Sequence, residues 1–223
     1  MTRVTCIEQL ATAIAAIRVD HPTRVAIDGV DGVGKTSLAE ELVGPLERKN
    51  RPVIRASVDG FHHPRTIRYR RGTDSAEGYF LDSFDYSALR SVLLEPLGPS
   101  GDRRFRPAVF DHRSDQPIDG PHQTAAANAI LLFDGVFLQR LELADVWDFR
   151  IWVEAPFDVT VARAVRRDAI GSDRATLIEG KYERRYVPGQ RMYLDLCHPR
   201  DTANIIFNNV DFENPELRDR WGV

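Results

Sequence analysis

Lysine is nearly absent from this chain: only Lys35, Lys49 and Lys181 occur, so almost all of the 30 basic residues are arginines. A GC-rich coding sequence explains such a surplus without any functional demand. Arginine is also the side chain suited to bidentate phosphate contacts, so position has to decide between the two readings. Cysteine is scarce as well. Cys6 and Cys197 cannot build a disulfide framework and show no metal-ligand spacing, which fits packing residues in a reducing cytoplasm. No run approaches the roughly 18 apolar residues needed to span a bilayer, which argues against a membrane partner. The N-terminus lacks the basic flank and short apolar run of a signal peptide. A basic excess is missing too: the formal net charge is −3, against a generic nucleic-acid binder. What is present, 43% hydrophobic and 28% charged residues over 223 positions, is the mix of one globular domain.

Five short apolar runs read as strands. They are Arg24–Asp28, Pro52–Val58, Ala129–Phe133, Arg150–Glu154 and Asn204–Phe207. The third is apolar throughout, as buried parallel strands tend to be. Helical spacing appears at Ile7, Leu10, Ile14 and Ile17, at Leu38, Leu42 and Leu46, and over Val159–Ile170 and Thr176–Tyr186. Strands alternating with helices predict an α/β domain around a parallel sheet. Residues 60–125 carry many prolines and arginines and weak periodicity apart from a helix at Tyr86–Leu94. They read as a long excursion, of the kind that serves as a lid or substrate loop.

Gly29-Val30-Asp31-Gly32-Val33-Gly34-Lys35-Thr36 meets every fixed position of G-x-x-x-x-G-K-[ST]. An apolar strand precedes it and a helix follows. In such a loop the backbone curls so that successive N–H groups point at a phosphate, and the helix N-terminus adds its dipole. The candidate nucleotide contacts are Gly29, Asp31, Gly32, Val33, Gly34, Lys35, Thr36 and Ser37. Lys35 supplies a mobile charge to the β- and γ-phosphates, and the Thr36 hydroxyl is placed to ligate Mg²⁺. The motif predicts a bound nucleotide with Mg²⁺. A glycine-rich turn that binds nothing is the competing reading, and the strand–loop–helix context argues against it.

Ligands of open α/β sheets sit beyond the carboxyl ends of strands. Two predicted strands stop at an acid: Asp59 follows Val58, and Asp134 follows Phe133. Asp134 stands where a Walker-B carboxylate would hold Mg²⁺, although Asp-Gly is also a common turn. Asp59 is open between a proton acceptor, a metal group and a turn residue.

Taken in order, Ala26-Ile27-Asp28-Gly29 with the phosphate loop, Val58-Asp59-Gly60-Phe61-His62-His63-Pro64 and Leu131-Leu132-Phe133-Asp134-Gly135-Val136 resemble the uridine kinase, phosphoribulokinase and pantothenate kinase family. The resemblance spans about residues 23 to 209. It implies a P-loop NTPase three-layer α/β/α sandwich with a mostly parallel five-stranded sheet and a lid. The whole of 1–223 is then a single kinase domain, with 60–125 as the acceptor-binding excursion and 160–190 as the lid region. It also implies ATP-dependent phosphorylation of a hydroxyl on a small molecule, a nucleoside first and pantothenate or a sugar as the alternative. Asp59 takes the place of the family's catalytic base. Phe110-Asp111-His112-Arg113 looks like a shortened form of a nucleoside-contacting segment, which makes His112 and Arg113 substrate candidates. His62, three residues from the base, should approach the acceptor. Asp82 is a candidate for a sugar hydroxyl, whereas Asp85 suits the N-cap of the following helix.

Arg163, Arg166 and Arg167 share one helical face. They decorate a solvated surface or, in a kinase lid, stabilise the transferring phosphoryl group, with Arg163 and Arg167 favoured. Arg174 follows on the next loop as a further substrate candidate. Arg65, Arg68, Arg70 and Arg71 crowd the segment after Asp59 and either grip an anion or cover a loop. The expected partner is the small-molecule acceptor alone, with the oligomeric state open and a homo-oligomer among the options. A nucleotide-binding regulator or NTP hydrolase is the reading of another class, and it leaves the arginine clusters unexplained.

Overall fold

The five apolar runs pair side by side in the computed structural model, which describes residues 1–169 and 175–219. Numbering only the strands of the main sheet, they are β1 (Thr23–Gly29), β2 (Val53–Ser57), β3 (Ile130–Gly135), β4 (Phe149–Glu154) and β5 (Ile205–Asn208). All five are parallel. A sixth strand, β6 (Glu216–Asp219), adds antiparallel to β5, giving the order β6-β5-β4-β1-β3-β2. The sheet is therefore one strand wider than the sequence indicates. β6 has a single apolar residue, Leu217, and sits at an edge where one-sided burial suffices.

Both central strands, β1 and β3, are buried at every residue, so both faces of the sheet are covered. Side chains alternate between the faces. Val25, Ile27, Leu132, Asp134 and Arg55 point to the face covered by α1 (Arg3–Ala16) and α2 (Lys35–Arg48). Leu10 and Ile14 of α1 are fully buried; each such side chain contributes about 1.5–3 kcal/mol. Asp28, Phe133 and Trp152 point to the opposite face, where Phe61 and Tyr193 meet them.

That second face is largely the work of residues 60–125. The excursion folds into α3 (Ala76–Asp82), helical turns at Arg65–Arg68 and Tyr86–Leu89, and two ladders of two-residue strands. Phe61, Phe80, Phe84, Leu89, Leu93, Leu94 and Phe105 are buried in the common core. The segment is thus a structural layer as well as a site element, with its apolar residues spread over short turns that carry no long period. Asp85 caps the Tyr86 turn as expected, accepting from Ala88 N at 2.8 Å. The predicted helix ends early: after Leu89 the backbone widens into a π-type turn over Arg90–Leu94.

Beyond β4, α4 (Phe157–Asp168) and α5 (Ala175–Lys181) lead through a second π-type turn, Tyr182–Tyr186, into α6 (Val187–Cys197). Arg185 in that turn is 2% exposed. Its guanidinium donates to the carbonyls of Arg68, Gly72, Thr73 and Ser75 and lies over the rings of Tyr69 and Tyr79. The chain after α5 is thereby stapled to the excursion. Among the described residues no helix is long and apolar enough to cross a membrane.

Candidate active site

The carboxyl ends of β1, β2 and β3 open into a cleft of about 950 Å³. Asp31, Gly32, Gly34, Lys35, Thr36 and Ser37 of the phosphate loop line it, whereas Gly29 and Val33 lie beneath that surface. Two glycines are required by the path of the chain. Gly34 has φ +98° and stands immediately before α2. Gly32 has φ +74°, and a Cβ there would lie 2.2 Å from the Thr160 carbonyl oxygen. No side chain caps α2. Its first N–H groups are left to an anion from the cleft, as the motif anticipates. Lys35 Nζ donates to the Val30 carbonyl at 2.8 Å. Burial lowers the Lys35 pKa, opposed by the charges of Asp31, Asp28, Asp134 and Asp59.

Thr36 and Asp134 meet across the loop: the Thr36 hydroxyl donates to Asp134 Oδ2 at 2.8 Å. Asp134 is 3% exposed. Burial raises its pKa, and the Thr36 hydrogen bond and the charges of Arg55 and Lys35 oppose that rise. A hydroxyl beside one carboxylate is a hard oxygen pair suited to Mg²⁺, which takes one or two carboxylates and fills its remaining positions with phosphate and water. Among the described residues no group of three or more His, Cys, Asp or Glu stands ready to hold a metal. The donor set therefore fits an ion whose other ligands come from a nucleotide.

Asp59 lies in the tight turn Val58–Phe61 after β2 and lines the same cleft. Its side chain is 64% exposed, and among the described residues its carboxylate accepts no hydrogen bond. His62 packs behind it. The His62 Nδ1–H group donates to the Asp59 carbonyl at 3.0 Å, and the ring packs at a tilt against His112 (4.7 Å) and Phe84 (4.6 Å). Burial pushes His62 down to about 4, so it is neutral near pH 7. His112, Arg113, Arg65 and Arg68 complete this end of the cleft.

Arg163 and Arg167 reach the cleft from α4, and Arg166 does not line it. Arg163 donates to the carbonyls of Asn209 and Val210, both at 2.9 Å. Arg167 pairs with Asp168 at 2.7 Å. Asp82 is placed otherwise than expected. It is 3% exposed, it does not line the cleft, and Arg70 and Arg71 hold its two oxygens. Its carboxylate is consumed in bracing the excursion, so a contact with an acceptor hydroxyl is not supported. Arg174 lies outside the described residues.

The sequence pattern of the Phosphoribulokinase / Uridine kinase family matches residues 25–211. The chain belongs to that family. Uridine-cytidine kinase B of Dictyostelium discoideum is 24% identical over 83% of this kinase and 78% of its own length. The pantothenate kinase of Rhodopseudomonas palustris is 28% identical over 75% of this chain, which spans only 56% of that relative. Among solved structures, a possible uridine kinase from Bacillus stearothermophilus superposes with a TM-score of 0.71 at 23% identity, covering 90% and 96% of the two chains. D-glycerate 3-kinase from Cryptococcus neoformans gives a TM-score of 0.66 at 10% identity, covering 98% and 99%. These likenesses fix the fold, and the family makes the protein an ATP-dependent phosphotransferase.

Three side chains of the kinase have site roles that motif spacing does not reveal. Asp31, half-buried and held above the usual carboxylate range by desolvation, accepts from Tyr79 OH and from Gln190 Nε2, each at 2.9 Å. The Asp31 N–H donates to Gln190 Oε1 at 3.0 Å. Phosphate loop, excursion and α6 thus converge on one carboxylate. Arg55 of β2 holds Asp134, and a charge in the middle of an apolar strand was the available signal. Asn209, after β5, reaches the cleft lining but is 1% exposed and engaged at both ends, by Arg3 and by the Val33 carbonyl.

Proposed function

We propose that this kinase transfers the γ-phosphoryl group of ATP to a hydroxyl of a nucleoside, with Asp59 as the base that accepts the hydroxyl proton. The observation that carries the reading is the exposed carboxylate of Asp59, with His62 Nδ1 at 3.9 Å and no hydrogen bond among the described residues. It stands at the tip of β2, in the same cleft as Lys35 and the Thr36–Asp134 pair, and close enough to interact electrostatically with both Lys35 and Asp134. An acceptor between Asp59 and the phosphate loop presents its hydroxyl to the base on one side and to the phosphoryl group on the other. Thr36 and Asp134 would hold Mg²⁺, which supplies charge neutralisation of the phosphates. Lys35, with Arg163 and Arg167 from α4, offsets charge developing on the transferring group. The rings of His62 and His112, with Phe84 beside them, form an aromatic cluster that suits a base.

One observation favours the second acceptor reading, pantothenate or a sugar derivative. Arg65, Arg68 and Arg113 face the acceptor end, and among the described residues the guanidinium groups of Arg65 and Arg113 form no ion pair with a carboxylate. A panel of nucleosides, pantothenate and sugar acids, with ADP release and product mass as readouts, separates the two. Nucleoside-dependent release supports the first reading and release with anionic acceptors alone supports the second. Release independent of any acceptor means hydrolysis and removes both.

A further inference from the structure

Arg55 interrupts an otherwise uncharged strand, Val53-Ile54-Arg55-Ala56-Ser57. In the register of the sheet it lies beside Leu132, and Ser57 lies beside Asp134. Its side chain therefore runs along the α2 face to the acid two positions nearer the cleft. Arg55 Nη2 donates to Asp134 Oδ1 at 3.0 Å, while Asp134 Oδ2 takes the Thr36 hydroxyl at 2.8 Å. Arg55 does not line the cleft, and its Nη1 is buried with no hydrogen-bond partner. The guanidinium thus holds Oδ1 from outside the cleft lining, while Oδ2 is on the side of Thr36, which lines the cleft.

We propose that Arg55 is a positioning residue that makes divalent-cation binding at Thr36–Asp134 conditional on bound nucleotide, an inference that rests on Asp134 being the metal carboxylate. The charge inventory carries it. Arg55 pairs directly with Asp134 and Lys35 stands near it, although Lys35 also faces Asp59, Asp31 and Asp28. A dication gains little from a carboxylate that a cation already holds at short range. Nucleotide phosphates change that balance, and Asp134 then has to offer only Oδ2 while Oδ1 stays on Arg55. Held by Arg55 on Oδ1 and by Thr36 on Oδ2, the carboxylate is fixed in its plane.

The probe is Mn²⁺, titrated by electron paramagnetic resonance into the full-length, nucleotide-free protein. The wild type should bind it no better than weakly. Arg55→Gln keeps a donor for Asp134 without the charge, and Arg55→Met keeps the volume alone. Both should bind Mn²⁺ at least about tenfold more tightly than the wild type. Arg55→Lys, which restores the charge, should return the affinity to the wild-type level. Adding Asp134→Asn to Arg55→Gln should abolish the gain. Unchanged or weaker Mn²⁺ binding in both Arg55→Gln and Arg55→Met overturns the proposal, and so does a gain that survives Asp134→Asn. Failure of the underlying reading looks different: with a non-hydrolysable ATP analogue bound, Asp134→Asn in the wild-type background would leave Mn²⁺ affinity unchanged.

Discussion

Asp59→Asn is expected to lower the rate of phosphoryl transfer about 10²- to 10⁴-fold, the usual contribution of a positioned general base, while leaving ATP binding intact. The asparagine has the same shape and the same hydrogen-bond reach, but its amide cannot take the hydroxyl proton. The site tolerates the change structurally. The Asp59 side chain is largely exposed, and the turn that carries it is held by backbone contacts such as the Ser57 hydroxyl on Asp59 N. Nor does Asp59 hydrogen-bond to the phosphate cradle. The loop's own ties are Lys35 on Val30 and Asp31 on Tyr79 and Gln190. Single-turnover transfer at saturating acceptor, with titration of a non-hydrolysable ATP analogue alongside, separates chemistry from binding. A near-normal rate would take the base role away from Asp59. A parallel loss of analogue binding would show that the residue supports the cradle instead.

Where the sequence was legible, the signal was local. The phosphate loop is readable because glycine, lysine and threonine are needed at fixed offsets, and the structure puts Gly34 at a positive φ at the start of an uncapped helix. The parallel strands are readable because burial on both faces demands unbroken apolar runs. Whatever depends on distant partners is not readable this way. Asp31 and Gln190 are 159 positions apart, and no period links them. Asp82 looked free for a ligand because its partners, Arg70 and Arg71, lie 12 and 11 residues upstream and reach it only after the chain turns into α3. The strand β6 was missed because an edge strand with one apolar residue carries no alternation to detect. The arginine surplus resolves in the same way. Arg55, Arg68 and Arg185 are held by carboxylates or carbonyls, and their purpose appears only when those partners are on the page.

Two buried titrating groups in the same molecule should make its acid stability move in opposite directions when they are removed one at a time. His62, with a side chain 12% exposed, is held by burial down to about 4, against 6.5 for an ordinary histidine. Between those values the unfolded chain takes up a proton that the native state refuses. The wild type therefore loses stability as pH falls from 6.5 to 4, by about 3 kcal/mol from this residue. Asp28, fully buried, is pushed by desolvation up to about 6, although Tyr193, Gln139 and the Gly29 N–H all donate to it. Here the native state takes the proton first. The wild type gains stability as pH falls from 6 towards 3.8, again by about 3 kcal/mol. The two slopes nearly cancel over their common range. Relative to wild type, His62→Gln should become more stable on acidification by that amount and Asp28→Asn less stable. Each variant also shifts by a constant, pH-independent penalty from its altered hydrogen bonds, and that penalty drops out of the slope. Urea unfolding of the three proteins at intervals from pH 4 to 6.5 reads both differences. A flat difference for His62→Gln would mean that the imidazole is protonated in the folded site, and a flat one for Asp28→Asn that the three donors outweigh the burial.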